Sequence, residues 1–106
     1  MPICITAQYE VHPEFSKECK KVIQELVEYV KKNEPGILLY LARQDILNPM
    51  RFHHTILFKN EAALAIHQSS SASKRFVEAL YPKTLAPLDF GEHHIVAFKS
   101  SADDSM

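Results

Sequence analysis

The chain has 106 residues, of which 46% are hydrophobic and 24% charged, and its formal net charge at neutral pH is −1. This length fits one domain, and the balanced charge gives no electrostatic basis for binding nucleic acid or an anionic membrane. Two cysteines, Cys4 and Cys19, are too few for a disulfide framework or a zinc site, and no apolar run reaches the roughly 18 residues of a membrane-spanning helix. We therefore expect a soluble, cytoplasmic protein with one domain at 1–99 and a polar, disordered tail at 100–106.

The first part of the chain predicts a strand, a long helix and a second strand. Residues 3–11 alternate between apolar and polar side chains, which is the period of a strand. Residues 12–33 carry an apolar stripe at helical spacing, and Pro35-Gly36 ends that helix. Residues 36–45 are apolar almost without interruption, as is typical of a strand that is buried on both faces.

A third strand and a helix in two segments follow. The strand is predicted over 51–59, and Asn60 is placed to cap a short helix over 61–67. A serine-rich stretch then breaks this helix, and Ser71 or Ser73 is the expected cap of the second segment.

The last strand, predicted over 91–99, completes the order β-α-β-β-α-β, which indicates an α+β, ferredoxin-like sandwich. Helices in this topology cover only one face of the antiparallel sheet. The predicted strands at 37–42 and 94–98 are nevertheless apolar on both faces. A second copy of the chain is the simplest cover for the other face, so we expect a homodimer that packs sheet against sheet.

Three stretches resemble the antibiotic biosynthesis monooxygenase domain, a family of dimeric α/β barrels. The stretch "EPGILLY" at 34–40 is similar to the family's entry into its second strand, and Asn48-Pro49 precedes the third strand. The stretch "FKNEAALAIHQSSSASKRF" at 58–76 resembles the family's aromatic residue, Ala-Leu-x-x-His and serine-rich step into a helix. These stretches occur in the family's order, and the resemblance as a whole extends over nearly the whole chain.

The resemblance implies one of several activities, because the family is functionally mixed. Members include cofactor-free oxygenases of quinols or anthrones, heme-degrading monooxygenases, isomerases of small phosphorylated metabolites and proteins without an established activity. Many members carry Glu-x-Trp in the third strand, where this chain has Ile56-Leu57-Phe58, and the first strand has no Asn to match that of the heme degraders. Both departures argue against heme cleavage, and the absent Glu weakens a carboxylate-assisted mechanism.

His67 is the candidate general base. It follows Leu64 by three residues and Ala63 by four, so it shares their helix face, which is expected to turn toward the sheet. Imidazole is a natural base for removing a phenolic or α-carbonyl proton at neutral pH. The resemblance places this histidine in a pocket, whereas the alternative is a helix-end histidine that caps carbonyl groups or faces solvent.

Tyr40 and His54 are the candidate hydrogen-bonding partners of a substrate. Tyr40 matches the family's tyrosine, and strand parity places His54 on the same face as Phe58, the family's pocket-facing aromatic position. Each could instead be a core residue with a satisfied hydrogen bond. The expected apolar walls of the site, a set that would equally fit an ordinary core, are Phe58, Phe76, Ile56 and Leu80.

The adjacent histidines do not predict a metal site. Consecutive strand residues point to opposite faces, so neither His53-His54 nor His93-His94 can grip one ion. The third and fourth strands are separated by the first, which places them roughly 10 Å apart, so a metal site within one subunit is not expected, whereas a site shared across a dimer stays open. With no glycine-rich phosphate loop either, we expect no metal and no cofactor.

The sequence therefore favours a cofactor-independent monooxygenase that acts on a small quinol, phenol or anthrone-like aromatic substrate, with His67 as the base. Two alternatives stay open. One is an isomerase or cyclase that uses the same pocket without O₂, and the other is a non-catalytic dimer that binds a small molecule.

Overall fold

The computed structural model describes residues 2–99 and Ser101. Within these residues, an antiparallel sheet of order β2-β3-β1-β4 carries the helices on one face, which confirms the predicted ferredoxin-like α+β fold. The strands are β1 (Ile3–Glu10), β2 (Ile37–Gln44), β3 (Arg51–Phe58) and β4 (Asp89–His93), and the helices are α1 (Ser16–Asn33), α2 (Glu61–Ser69) and α3 (Ser71–Leu80). The tail predicted at 100–106 lies outside the described residues except for Ser101.

Helix α1 packs its apolar stripe on the sheet. Its buried residues recur at helical spacing and are Cys19, Ile23, Leu26 and Val30. The helix predicted over 12–33 is divided, because Pro13–Phe15 forms a 3₁₀ turn before α1 begins at Ser16. Proline suits the first turn of such an element, where its missing N–H leaves no bond unmade.

Side-chain caps separate α2 from α3. The Asn60 side chain accepts a hydrogen bond from the Ala63 N–H at 2.9 Å, which confirms the predicted cap of α2. The Ser70 hydroxyl accepts one from the Ser73 N–H at 3.1 Å. The prediction that Ser71 or Ser73 caps the second segment is therefore wrong. Ser70 is the last residue before α3 with an extended backbone, and from that position its hydroxyl reaches the free N–H groups of the first turn.

Strand β4 is shorter than predicted and begins earlier. It spans Asp89–His93 rather than 91–99, and its last residue pairs with Cys4 of β1. Because β1 begins at Ile3, residues 95–99 have run past the end of their neighbour and have no strand to pair with in the described chain. We call residues 94–99 the overhang; Val96 within it is 98% exposed.

The hydrophobic core lies between the sheet and the helices. Tyr9, Phe52 and Leu80 belong to one buried cluster, and Ile56 and Phe58 belong to another. Strand parity is as predicted, because the side chains on the helix-covered face of β3 are buried at every second position: Phe52, His54, Ile56 and Phe58.

The opposite face of the sheet, which we call the open face, has no helix over it within the described residues. Leu39 and Leu41 of β2 lie there and are exposed, after a bulge at Leu38 that shifts the register of β2. Polar pairs occupy the other edge, where Thr6 contacts His93 at 3.1 Å. None of the helices in the described part of the chain is long and apolar enough to cross a membrane.

Candidate functional site

His54 lies on the helix-covered face of β3, between Ala7 of β1 and Ala42 of β2. It is 2% exposed, and both ring nitrogens have partners: Nε2 lies 2.7 Å from the Tyr9 hydroxyl and Nδ1 lies 2.9 Å from the Tyr40 hydroxyl. Burial lowers the pKa of His54 to about 4, so the ring is neutral at neutral pH. A neutral imidazole has one donor and one acceptor nitrogen, so one tyrosine donates to the ring and the other accepts from it.

The two tyrosines keep their protons. Burial raises the pKa of both Tyr9 and Tyr40; the nearby Cys19 thiol adds to the effect at Tyr9, as the Glu34 carboxylate does at Tyr40. The Tyr9 hydroxyl also lies 3.9 Å from Cys19 Sγ. Both phenols are therefore neutral, and neither acts as a base.

His67 lies in the last turn of α2 and is held by Glu34. Its Nδ1 lies 2.8 Å from Glu34 Oε1, and both residues are buried, at 9% and 5% exposure. The Ser73 hydroxyl lies 3.4 Å from each ring nitrogen. A neutral imidazole that donates from Nδ1 to the carboxylate carries its lone pair on Nε2, which is the arrangement that a general base needs. Glu34 Oε2 is buried and finds no hydrogen-bond partner among the described residues.

The Tyr40 ring connects the two histidines. It packs edge-to-face on His54 and on His67, with ring centroids 5.7 Å and 6.2 Å apart. Phe58 lies 5.5 Å from the His67 ring, and Phe76 lies 5.8 Å from the His54 ring. The aromatic residues thus fix both imidazoles from their sides.

A cleft of about 650 Å³ opens between α1 and β2. Its apolar surface comes from Ile23, Val27, Leu41, Ala42 and Phe52, and Tyr40 also lines it. The charged residues around it are Lys20, Glu28, Lys31 and Arg43. Three of these four side chains are cationic, and Glu28 is itself paired with Lys31 at 3.2 Å, so the rim favours an anionic ligand.

The structure brings most of the predicted site residues together. Tyr40, His54 and His67 form one contiguous group with Phe58 and Phe76. The other two predicted wall residues are buried in separate core clusters, Ile56 beside Phe58 and Leu80 beside Tyr9. Of all the predicted site residues, only Tyr40 lines the cleft between α1 and β2.

The sequence reasoning missed Tyr9 and Glu34. Tyr9 falls on the apolar face of β1, so the sequence predicts that it is buried. A buried tyrosine needs a hydrogen-bond partner for its hydroxyl, and this requirement points to a polar contact in the core. Glu34 stands directly before Pro35-Gly36, within a stretch that already carries the family resemblance. The described residues contain no group of three or more His, Cys, Asp or Glu side chains that could hold a metal ion.

Comparison with known proteins identifies the family of the chain. The family model for antibiotic biosynthesis monooxygenases matches residues 2–79, which is most of the chain. The chain belongs to the antibiotic biosynthesis monooxygenase family. A search of curated proteins finds no match.

Solved structures share the fold of this family member. A candidate antibiotic biosynthesis monooxygenase from Caulobacter crescentus is 25% identical, with a TM-score of 0.84 and 91% of each chain covered. Another from Bacteroides thetaiotaomicron is 19% identical, with a TM-score of 0.86, 94% of this chain and 96% of that chain covered. A conserved protein from Methanosarcina mazei is 22% identical, with a TM-score of 0.80, 88% of this chain and 91% of that chain covered. At 19% and 22% identity, the matches to the Bacteroides and Methanosarcina proteins show a shared fold and no more.

Proposed function

We propose that this member of the antibiotic biosynthesis monooxygenase family is a cofactor-independent monooxygenase of a small, electron-rich aromatic compound: a phenol, a quinol or an anthrone. The observation that carries the proposal is the position of Tyr40. Its neutral phenol lines an apolar cleft with a cationic rim, and its ring packs on both buried histidines. An aromatic ring with one ionisable oxygen matches those properties.

Such a substrate supplies its own electrons. Deprotonation of the substrate gives an electron-rich anion that transfers one electron to O₂. The resulting radical and superoxide combine to form a C–O bond, and protonation yields a hydroperoxide. Loss of water then leaves a carbonyl: an anthrone CH₂ becomes C=O, one oxygen atom of O₂ enters the product, and the other leaves as water. The protein contributes a base, a hydrogen bond to the anionic oxygen and shelter from solvent.

In this proposal His67 is the base and Tyr40 binds the anionic oxygen. Glu34 supports the assignment of His67, because its carboxylate occupies Nδ1 and leaves Nε2, which has a long 3.4 Å contact with the Ser73 hydroxyl, as the nitrogen that accepts the substrate proton. His54 orients Tyr40 from behind. The Tyr40 ring packs on His67 and also lines the cleft, so it is the contact that connects the proposed base to the ligand site.

We further propose that the protein acts as a homodimer. Leu39 and Leu41 expose apolar surface on the open face, and the outer edge of β2 has no neighbouring strand in the described chain. The overhang has a strand-like sequence and lacks a partner strand among the described residues, so it complements that edge in a second copy. Pairing of the overhang with the β2 edge of the other subunit would give each of these two strand edges a neighbouring strand.

Oxygen consumption tests the catalytic proposal. Purified protein, assayed for bound metal and flavin beforehand, is mixed with hydroquinones and anthrones in an oxygen-electrode cell. We expect turnover that falls at least 100-fold in His67→Ala and about tenfold in Tyr40→Phe. Tyr81→Phe, which removes an exposed phenol, is the matched control and should keep full activity. Full turnover in His67→Ala would refute the assignment of the base.

A second candidate function is binding without catalysis. It is favoured by the low exposure of His67, at 9%, and by its absence from the residues that line the cleft. Calorimetry that detects a bound phenol, together with no O₂ uptake across the panel, would select this candidate. Turnover that persists under argon would instead select the isomerase or cyclase.

A further inference from the structure

The hydrogen-bond chain through His54 can run in either of two directions. Tyr9, His54 and Tyr40 are linked by contacts of 2.7 and 2.9 Å, and all three side chains lie on the helix-covered side of the sheet. Because the imidazole is neutral, only two arrangements satisfy it. Either Tyr9 donates to Nε2 and Nδ1–H donates to Tyr40, or Tyr40 donates to Nδ1 and Nε2–H donates to Tyr9.

The two arrangements have opposite consequences for the cleft. In the first, the Tyr40 oxygen accepts from His54, so its own O–H is free to donate to a ligand. In the second, Tyr40 donates its one O–H to His54, so its oxygen can only accept a hydrogen bond from a ligand in the cleft. The Tyr9 contact is the shorter of the two, and the Cys19 thiol beside Tyr9 can donate to the Tyr9 oxygen while Tyr9 donates onward. Hydrogen bonds that point one way along a chain polarise and strengthen one another.

We propose that Tyr9 is a positioning residue that acts through His54 to turn the Tyr40 hydroxyl outward, so that the cleft binds aromatic ligands as phenolates. The inference rests on the proposed function, because it takes the cleft between α1 and β2 as the aromatic site. The charges facing that cleft agree with it: Lys20 and Arg43 attract an anion, while Lys31 and Glu28 are paired with each other. Burial, which keeps Tyr40 protonated, preserves it as a donor.

The ionisation of a bound probe tests this inference without any turnover. The probe is 4-nitrophenol, which titrates near neutrality and absorbs visible light when ionised, and 4-nitroanisole is its neutral counterpart. Both are titrated into the full chain without oxygen. We expect the wild-type protein to bind nitrophenol as the phenolate, and Tyr9→Phe to weaken that binding about tenfold or more while 4-nitroanisole binds within twofold of wild type.

The remaining outcomes decide against the inference. Equal nitrophenol affinity in Tyr9→Phe and wild type overturns it, as does an equal loss for both probes, which would mean that Tyr9 only supports the fold. Binding of neither probe by the wild type overturns it too. Tyr81→Phe controls for the loss of a phenol elsewhere. Nitrogen-15 NMR gives an independent readout: the phenolate complex should carry its His54 proton on Nδ1, and a proton on Nε2 would contradict the proposed direction.

The test separates this inference from the proposed function. If phenolate binding depends on Tyr9 but no aromatic compound consumes O₂, the positioning role stands and the monooxygenase proposal fails. If O₂ is consumed while phenolate binding does not depend on Tyr9, the monooxygenase proposal stands and the positioning role fails.

Discussion

Glu34 and His67 stand 33 positions apart in the sequence and meet in the interior, with Glu34 Oε1 2.8 Å from His67 Nδ1. The contact joins the C-terminal end of α1 to the last turn of α2. It fixes which imidazole nitrogen carries the proton, and it gives a buried carboxylate a hydrogen-bond partner. A chemical role for His67 and the packing of two helices therefore depend on one pair of side chains.

Removal of the Glu34 carboxylate should destabilise the protein. In Glu34→Ala the buried His67 Nδ1–H loses its acceptor, so we expect the free energy of unfolding to fall by about 1–3 kcal/mol. Glu34→Gln keeps a carbonyl oxygen for that N–H and should lose less. Urea unfolding measures both variants, with Glu25→Ala on the exposed side of α1 as the control. A Glu34→Ala variant as stable as wild type would show that the contact contributes nothing.

The N-terminal cap of α3 distinguishes the roles of two neighbouring serines, Ser70 and Ser71. Ser70→Ala removes the acceptor for the Ser73 N–H and should cost about 1 kcal/mol of stability. Ser71→Ala lies inside the helix and should change stability by less than half that amount. Thermal unfolding of the two variants side by side checks the boundary, and a larger loss in Ser71→Ala would move the cap to the sequence-based position.

Acid should destabilise the protein through His54. Its pKa falls from the ordinary 6.5 to about 4 on folding because the ring is buried, so between these values the unfolded chain binds more protons than the folded one. Stability contributed by the neutral ring is complete above pH 6.5 and is lost as the pH falls toward 4, by about 3 kcal/mol at most.

His54→Gln isolates this contribution, because glutamine cannot titrate. Chemical unfolding between pH 7.5 and pH 4 should show a shallower loss of stability in His54→Gln than in wild type, whatever the absolute stability of the variant. His12→Gln removes an imidazole that lies just before the 3₁₀ turn and is not among the causes of the His54 shift, and it serves as the control. Parallel pH profiles of wild type and His54→Gln would contradict the account.

The homodimer is tested by sedimentation. Wild-type protein should sediment as a dimer at micromolar concentration, and Leu41→Glu should shift it to single chains because a carboxylate on the open face repels its counterpart and costs desolvation. Ile66→Glu, on a residue of α2 that is 59% exposed, is the matched control and should stay dimeric. Removal of residues 94–106 should also weaken the dimer. Wild type that sediments as a single chain would refute the assembly.

Much of the fold could be predicted from the sequence, because periodicity reports which side of an element is buried. The alternation in β3 predicts that His54 and Phe58 lie on the helix-covered face, and the apolar stripe of α1 predicts its buried side; the structure confirms both. The end of β4 could not be read from its own residues, since it depends on where β1 begins. Periodicity shows which residues of a segment are strand-like, but it does not show how far the neighbouring strand extends to pair with them.

The polar part of the site was only half predictable for a similar reason. His54, His67 and Tyr40 are distinctive residue types on predicted faces, so they could be singled out. Their partners Tyr9 and Glu34 are determined by strand register and by the approach of α1 to α2, which are tertiary contacts. The choice between Ser70 and Ser71 as a cap turns on a single residue, and helix ends are defined by sequence only to within one or two positions.

Isotope labelling tests the central claim most directly. The protein is incubated with an anthrone or hydroquinone under ¹⁸O₂, and the product is analysed by mass spectrometry at early times, before carbonyl oxygen exchanges with water. A monooxygenase of the proposed kind should place one labelled atom in each product molecule, and His67→Ala should reduce the labelled yield at least 100-fold. Product that forms without label, or that forms equally under argon, would contradict the account.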